Sequence, residues 1–100
     1  MNFAERIAQD RRLAILRLLV EAAGKANESV LREGLDLLGL DAGLTRDAVR
    51  ADLEFLQERA LVKLAWFNDK LAVASITKRG VEVSEGRERI EGIARPSIGE

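Results

Sequence analysis

Residues 44–64 read LTRDAVRADLEFLQERALVKL. Thr45 is a helix-capping residue, and Asp47 complements the positive end of the helix that follows. Val49, Leu53, Leu56 and Ala60 recur on one helical face, with Ala48 and Phe55 forming a flanking apolar patch. The period then changes. Val62, Leu64 and Trp66 alternate with Leu61, Lys63 and Ala65, which suits a strand. The stretch is therefore a helix over 45–60 that runs into a strand. Its helical part carries four acids and three arginines, an unusual composition for a surface meant to meet phosphate.

A helical wheel addresses that oddity. Arg46, Arg50 and Gln57 fall on one strip of the exposed face. Asp47, Glu54 and Glu58 fall on the adjacent strip, and Asp52 and Arg59 lie near the buried edge. Asp52 reads as a structural ion-pair partner. Arg50 also stands three residues from Asp47 and four from Glu54, spacings that commonly give exposed pairs of about 0.2–0.5 kcal/mol.

Outward from this stretch, residues 3–22 form a long helix with no glycine or proline. LAILRLLV holds one charge in eight residues and marks the central buried helix, with Arg6, Asp10, Arg17 and Glu21 on a polar stripe. Gly24 is its stop. Asn27 caps a second helix, with Glu28 favourable in its first turn and Leu31, Leu35 and Leu38 in one stripe. Gly34 allows a close helix approach, and GLDAG (39–43) supplies turn chemistry. Past the strand, Asn68 and Asp69 suit a tight turn, and LAVASI is a second strand. Both faces of this hairpin are apolar enough to pack on both sides. Thr77 caps a last helix over 78–89, weakened by Gly80 and Gly86. EGIARPSIGE (91–100) holds the one proline and gives an irregular or mobile end.

The 100 residues suit one domain over 1–89 with an irregular tail over 90–100. The chain has no cysteine and no histidine, which excludes disulfides, thiolate metal sites and a histidine switch. No phosphate-cradling glycine loop or nucleophile elbow is present, and Ser29, Ser75, Ser84 and Ser97 have only lysines as bases, so no enzyme and no cofactor are expected. No apolar run approaches the roughly 18 residues needed to span a bilayer, so a cytoplasmic protein with no membrane partner is expected, and with no tight acidic loop among its carboxylates no metal partner is expected either. Net charge is −1. Residues 27–60 carry four basic and eight acidic groups, whereas residues 61–80 carry four basic and one acidic.

Helix, helix, helix, hairpin, helix is the order of a winged helix-turn-helix: mainly α, with three helices, a two-stranded wing and a C-terminal helix. LAILRLLVEAAG, LTRDAVRADLEFLQERALVKL and ASITKRGVEVSEG resemble successive signatures of winged-helix transcription regulators of the ArsR and MarR type. Over nearly its whole length, including GRERIEGIARPSIG, the chain resembles more closely a group of small proteins of Mu-like phages and prophages. The resemblance implies a regulatory, DNA-binding role for the fold. It matches Arg46 and Arg50 to the start of a recognition helix, and Lys63 and Lys70 to wing positions. Ala60 stands where a glycine is usual, and ArsR-type metal sensing lacks its ligands here.

The expected site is thus Thr45, Arg46, Arg50 and Gln57 on the reading helix with Lys63 and Lys70 on the wing. Arginine is suited to bidentate contact with guanine, while Lys78, Arg79, Arg11 and Arg12 are further phosphate candidates. The expected partner is double-stranded DNA. A homodimer is expected to double the contacts, with the first helix, Phe55 and the segment VEVSEGRERIEGI as its interface. Trp66 and Phe67 are expected in the core or in that interface. The alternative is a protein-interaction module that keeps the scaffold without binding DNA, motivated by the acidic balance of residues 27–60.

Overall fold

The computed structural model describes residues 2–41 and 43–96. Seven elements follow in order: α1 (Phe3–Glu21), β1 (Lys25–Asn27), α2 (Glu28–Leu37), α3 (Arg46–Glu58), β2 (Val62–Phe67), β3 (Leu71–Ile76) and α4 (Lys78–Ser84). Ala42 of the glycine turn and the last four residues of the tail lie outside the described residues.

All four helices start and stop by the same chemistry. Asn2, Asn27, Thr45 and Thr77 each accept a hydrogen bond from the backbone N–H three residues on. This satisfies one of the donors a helix start leaves orphaned. Each helix then closes in a paired 6→1 and 5→2 set of backbone bonds around one left-handed residue. In α3 these are Leu61 N–H to the Leu56 carbonyl at 3.0 Å and Ala60 N–H to the Gln57 carbonyl at 2.9 Å. The left-handed residue is Gly39 after α2 and Gly86 after α4, but Ala23 after α1 and Ala60 after α3. Ala60, at φ +61°, holds a glycine-like conformation with a Cβ in place.

The core is a single cluster centred on α1. Ile15, Leu16 and Leu19 are fully buried against Leu31 and Leu35 of α2 and against Val49, Leu53 and Leu56 of α3. Leu38, the third member of the α2 stripe, is exposed because it is the helix cap, where the chain turns away. Gly34 is where Leu18 of α1 enters: a Cβ there would stand 2.9 Å from the leucine methyls.

The sheet has three strands in the order β1-β3-β2, all antiparallel, where the sequence gives two. Lys25, Ala26 and Asn27 pair with Ser75, Ala74 and Val73. This short strand carries no apolar alternation, and its last residue doubles as the cap of α2, so no periodic signal exists for it. The β2–β3 turn is as tight as expected. Asn68 and Asp69 both have positive φ, and Lys70 N–H donates to the Phe67 carbonyl at 3.1 Å. Ala72 and Ala74 of β3 are buried. The expectation that both faces of the hairpin pack is corrected. Lys63, Ala65 and Phe67 face outward and are exposed, and the inward row runs out of core before Trp66. Trp66 is 47% and Phe67 63% exposed, so neither belongs to the core.

Helix α4 ends at Ser84, five residues short of the expected end, because Gly86 at φ +81° terminates it. Residues 90–96 take no helix or strand, in keeping with their composition, yet they are tied down. Ile93 is buried, and Ala94 N–H donates to the Gln9 carbonyl at 3.1 Å. Gly80 permits α4 to dock, since a Cβ there would lie 2.2 Å from the Leu61 carbonyl oxygen. Among the described residues no helix is long and apolar enough to cross a membrane.

Two substitutions follow in opposite directions. Gly80→Ala is expected to destabilise the chain by about 2–3 kcal/mol in urea unfolding, because backbone must shift to relieve the clash. Ala60→Gly is expected to stabilise it by roughly 0.5–1 kcal/mol, the left-handed cost less the extra freedom of the unfolded chain.

Candidate nucleic-acid interface

Helix α3 buries Val49, Asp52, Leu53 and Leu56. The side opposite carries Asp47, Ala51, Glu54 and Glu58, all exposed. Of the strip Arg46, Arg50 and Gln57, Arg46 and Gln57 are exposed as read, and Arg50 alone is half-buried, drawn in toward α2 and the hairpin. The reason is a buried acid. Glu28, at the first turn of α2, is only 4% exposed. Arg50 grips it with two charge-assisted bonds, Nε to Oε2 at 3.0 Å and Nη2 to Oε1 at 2.9 Å. Glu28 Oε1 also accepts the Ala72 N–H of β3 at 3.1 Å. Arg50 Nη2 donates further to the Lys70 carbonyl at the hairpin tip. Its guanidinium lies 5.0 Å from the centroid of the Trp66 ring. One ion pair thus joins α2, α3 and both hairpin strands.

The other expected residues separate by what they already hold. The Thr45 hydroxyl accepts the Ala48 N–H at 3.0 Å as the α3 cap. Gln57 Oε1 accepts the Leu64 N–H at 2.8 Å and so pins β2 to α3. Arg46 is exposed, and its side chain makes no hydrogen bond or ion pair among the described residues. The ammonium groups of Lys63 and Lys70 are likewise exposed and unbonded among them. Lys63 and Lys25 both pair with Ser75, which sets them on one outward row, roughly 10 Å apart by strand spacing. Arg46 and Arg32 line a small cleft of about 170 Å³ beside Glu28 and Ser29.

Three of the further phosphate candidates are engaged. Arg11, through Nε and Nη2, and Arg12, through Nε at 3.2 Å, both bind Asp52, which is 1% exposed. Asp52 is the structural ion-pair partner its wheel position suggests. Arg12 also donates to the Gly92 carbonyl at 2.9 Å. Arg79 is paired with Glu88 at 2.6 Å and bonds the Arg59 carbonyl at 3.0 Å. Lys78 remains exposed. Phe55, assigned from sequence to a dimer interface, is covered within the chain. The Arg12 and Arg59 guanidinium groups lie 4.0 and 3.4 Å from its ring centroid, and Gly92 packs against its edge.

Comparison with known proteins gives two relatives. A protein of Haemophilus influenzae is 46% identical over 84 residues, covering 84% of this chain and 80% of its own length. A protein of Escherichia phage Mu, described as uncharacterized protein gp26, is 40% identical over 90 residues, covering 90% of this chain and 91% of its own. The resemblance to small proteins of Mu-like phages thus has a direct counterpart in sequence. No family model matches the chain, and no solved structure matches it.

Glu28 is the residue sequence reasoning missed, since its partner lies 22 positions away and on another helix. The Arg50 hydrogen bonds hold its carboxyl below the ordinary glutamate value of 4.5 against the opposing effect of burial, with help from the Ala72 N–H and the Arg46 charge. A depressed folded-state pKa adds stability that is complete above the unfolded value and is lost as pH falls through the folded one. Glu28→Gln is therefore expected to lower stability by about 2 kcal/mol or more at pH 7. In urea unfolding between pH 7 and pH 3, its deficit should shrink once pH drops below 4.5. A deficit independent of pH would assign Glu28 a packing role only.

Proposed function

The chain belongs to the family that includes gp26 of Escherichia phage Mu, and we propose that it is a DNA-binding protein built as a winged helix-turn-helix. In this reading α2 and α3 form the helix-turn-helix, and the β2–β3 hairpin is the wing. The observation that carries the reading is the placement of free cations on two elements that one ion pair locks together. Arg46 stands in the first turn of α3, and Lys70 stands at the hairpin tip whose backbone Arg50 holds. Recognition helices read from their N-terminal part, so Thr45 and Arg46 sit where base contacts are made. Lys63 and Lys70, with Lys25, take phosphate contacts that fix register without reading sequence.

The acids of α3 set the character of the binding. Asp47, Glu54 and Glu58 would repel phosphate along the outer side of the helix, so base reading is confined to its start. Arg50 and Gln57 act as braces that orient the hairpin, and Arg50 reaches a base only if it leaves Glu28. Weak binding that falls moderately with salt, with modest sequence preference, is the consequence.

A second reading, a protein-docking module, is favoured by that same outer side, where Asp47, Glu54 and Glu58 surround Ala51 as an open acidic strip. The two readings part on one substitution. Glu54→Lys should tighten duplex binding about three- to tenfold if α3 lies along a groove, and should leave it unchanged if α3 faces a protein.

The test is a fluorescence-anisotropy titration of genomic duplex fragments at low and moderate salt. Three phosphate contacts give a log–log salt slope of about −2.7, and Lys70→Ala should reduce it by about one contact. Arg46→Ala should flatten the preference between fragments. No binding to any fragment at low salt would reject the DNA reading.

A further inference from the structure

We propose that the outward face of the three-stranded sheet binds an unpaired DNA strand, with Phe67 as the surface on which a base stacks. The register sets Lys25 of β1 and Lys63 of β2 on either side of Ser75, in one row across that face. The next outward row along the hairpin holds Ala65 opposite Val73, and the last holds Phe67 opposite Leu71. No strand position on the face carries a carboxylate. Asp69 follows only in the turn. Phe67 is 63% exposed, and its ring meets no guanidinium or second ring among the described residues. That is unlike Trp66 on the other face, which lies 5.0 Å from the Arg50 guanidinium, and Phe55, which lies against Arg12 and Arg59. The bearing of Phe67 is nonetheless fixed. Lys70 N–H donates to its carbonyl, and Arg50 holds the Lys70 carbonyl in turn. A surface set in advance loses less freedom when its ligand arrives.

The chemistry of the face selects the occupant. A free aromatic ring near two ammonium groups, on strands without a carboxylate, matches a polyanion that also offers π-faces. Within a duplex the bases stack on one another and show only their edges in the grooves. The ring therefore needs a strand whose bases are unpaired. Phe67 stands about 13 Å along β2 from the lysine row, so a base on the ring leaves its flanking backbone free to run toward Lys63 and Lys25. The middle of the face is apolar, and the Asn27 side-chain oxygen is spent on the Val30 N–H. Ribose 2′-hydroxyls, the groups by which proteins select RNA, find few partners there, whereas deoxyribose suits the apolar contact. The surface shares Lys25 and Lys63 with the duplex reading and takes nothing from α3, so the two can fail separately.

Fluorescence anisotropy of the full chain with a labelled deoxyoligonucleotide of about 12 nucleotides and no self-complementarity tests this at low salt. Two ammonium contacts give a log–log salt slope of about −1.4, and Lys63→Ala should roughly halve it. Phe67→Ala should weaken binding at least about fivefold, whereas Phe67→Tyr should hold it within about twofold. Arg46→Ala should leave it unchanged. Trp66→Phe combined with Phe67→Trp carries the chain's one tryptophan to the outward face, where the strand should quench its fluorescence. Far-ultraviolet circular dichroism should be the same in every variant. Absence of binding at low salt overturns the proposal, whatever the chain does with duplex. A loss on Arg46→Ala equal to that on Phe67→Ala overturns it too, because the strand then lies on α3. So does a ribose strand of the same sequence that binds as tightly. Loss of self-association in place of strand binding on Phe67→Ala would make the face a protein contact and overturn it as well.

Discussion

A carboxylate buried at the start of α2 has to be paired, and the ion pair of Glu28 with Arg50 is the contact on which the rest of the structure depends. Left alone in that position the acid would cost several kcal/mol of desolvation. The fold satisfies it from three directions, with a guanidinium from α3 and a backbone donor from β3 against a helix N-terminus on α2. The same guanidinium holds the Lys70 carbonyl and lies over Trp66. A short hairpin that leaves the core halfway along its length is thereby given a fixed bearing relative to α3. Gln57 adds a second tether to β2.

A second buried acid fastens the other side of the same helix. Asp52 takes both arginines of α1, and Arg12 passes on to Phe55 and the Gly92 carbonyl, so the irregular tail is bound to the domain through one chain of charge and ring contacts. Helix α3 is thus held by an arginine reaching one way and an aspartate reaching the other. This accounts for much of its charge. Arg50 and Asp52 are internal fasteners, and what remains facing outward is Arg46 at one end and the acids Asp47, Glu54 and Glu58 along the side. What α3 and the hairpin turn outward is thus positive charge at the start of the helix and at the hairpin tip, with acids along the helix side.

The parts of the fold that were legible in the sequence are those with a local cause. Caps at Asn27, Thr45 and Thr77, the apolar stripe of α3, the change of period at Val62 and the turn at Asn68 and Asp69 each depend on neighbours a few residues away. A close helix approach at Gly34 was legible because a glycine admits one, but that Leu18 is what enters there was not. Strand β1 was hidden because its three residues have no pattern of their own and are defined by Ser75, Ala74 and Val73. The site was half legible for the same reason. A wheel gives the angle of Arg50 correctly, but what lies at that angle is set by Glu28, 22 residues earlier. Trp66 misled in the opposite sense: its alternation is that of a buried strand, while the core stops short of it.

Thermal or urea unfolding of Arg50→Gln, Glu28→Gln and the double variant tests the central contact most directly. If Glu28 is a buried charge that exists to be held by Arg50, Arg50→Gln alone is the most damaging of the three, and adding Glu28→Gln returns part of the lost stability. If the two losses simply add, the groups do not depend on one another, and the hairpin is held beside α3 by something other than this ion pair.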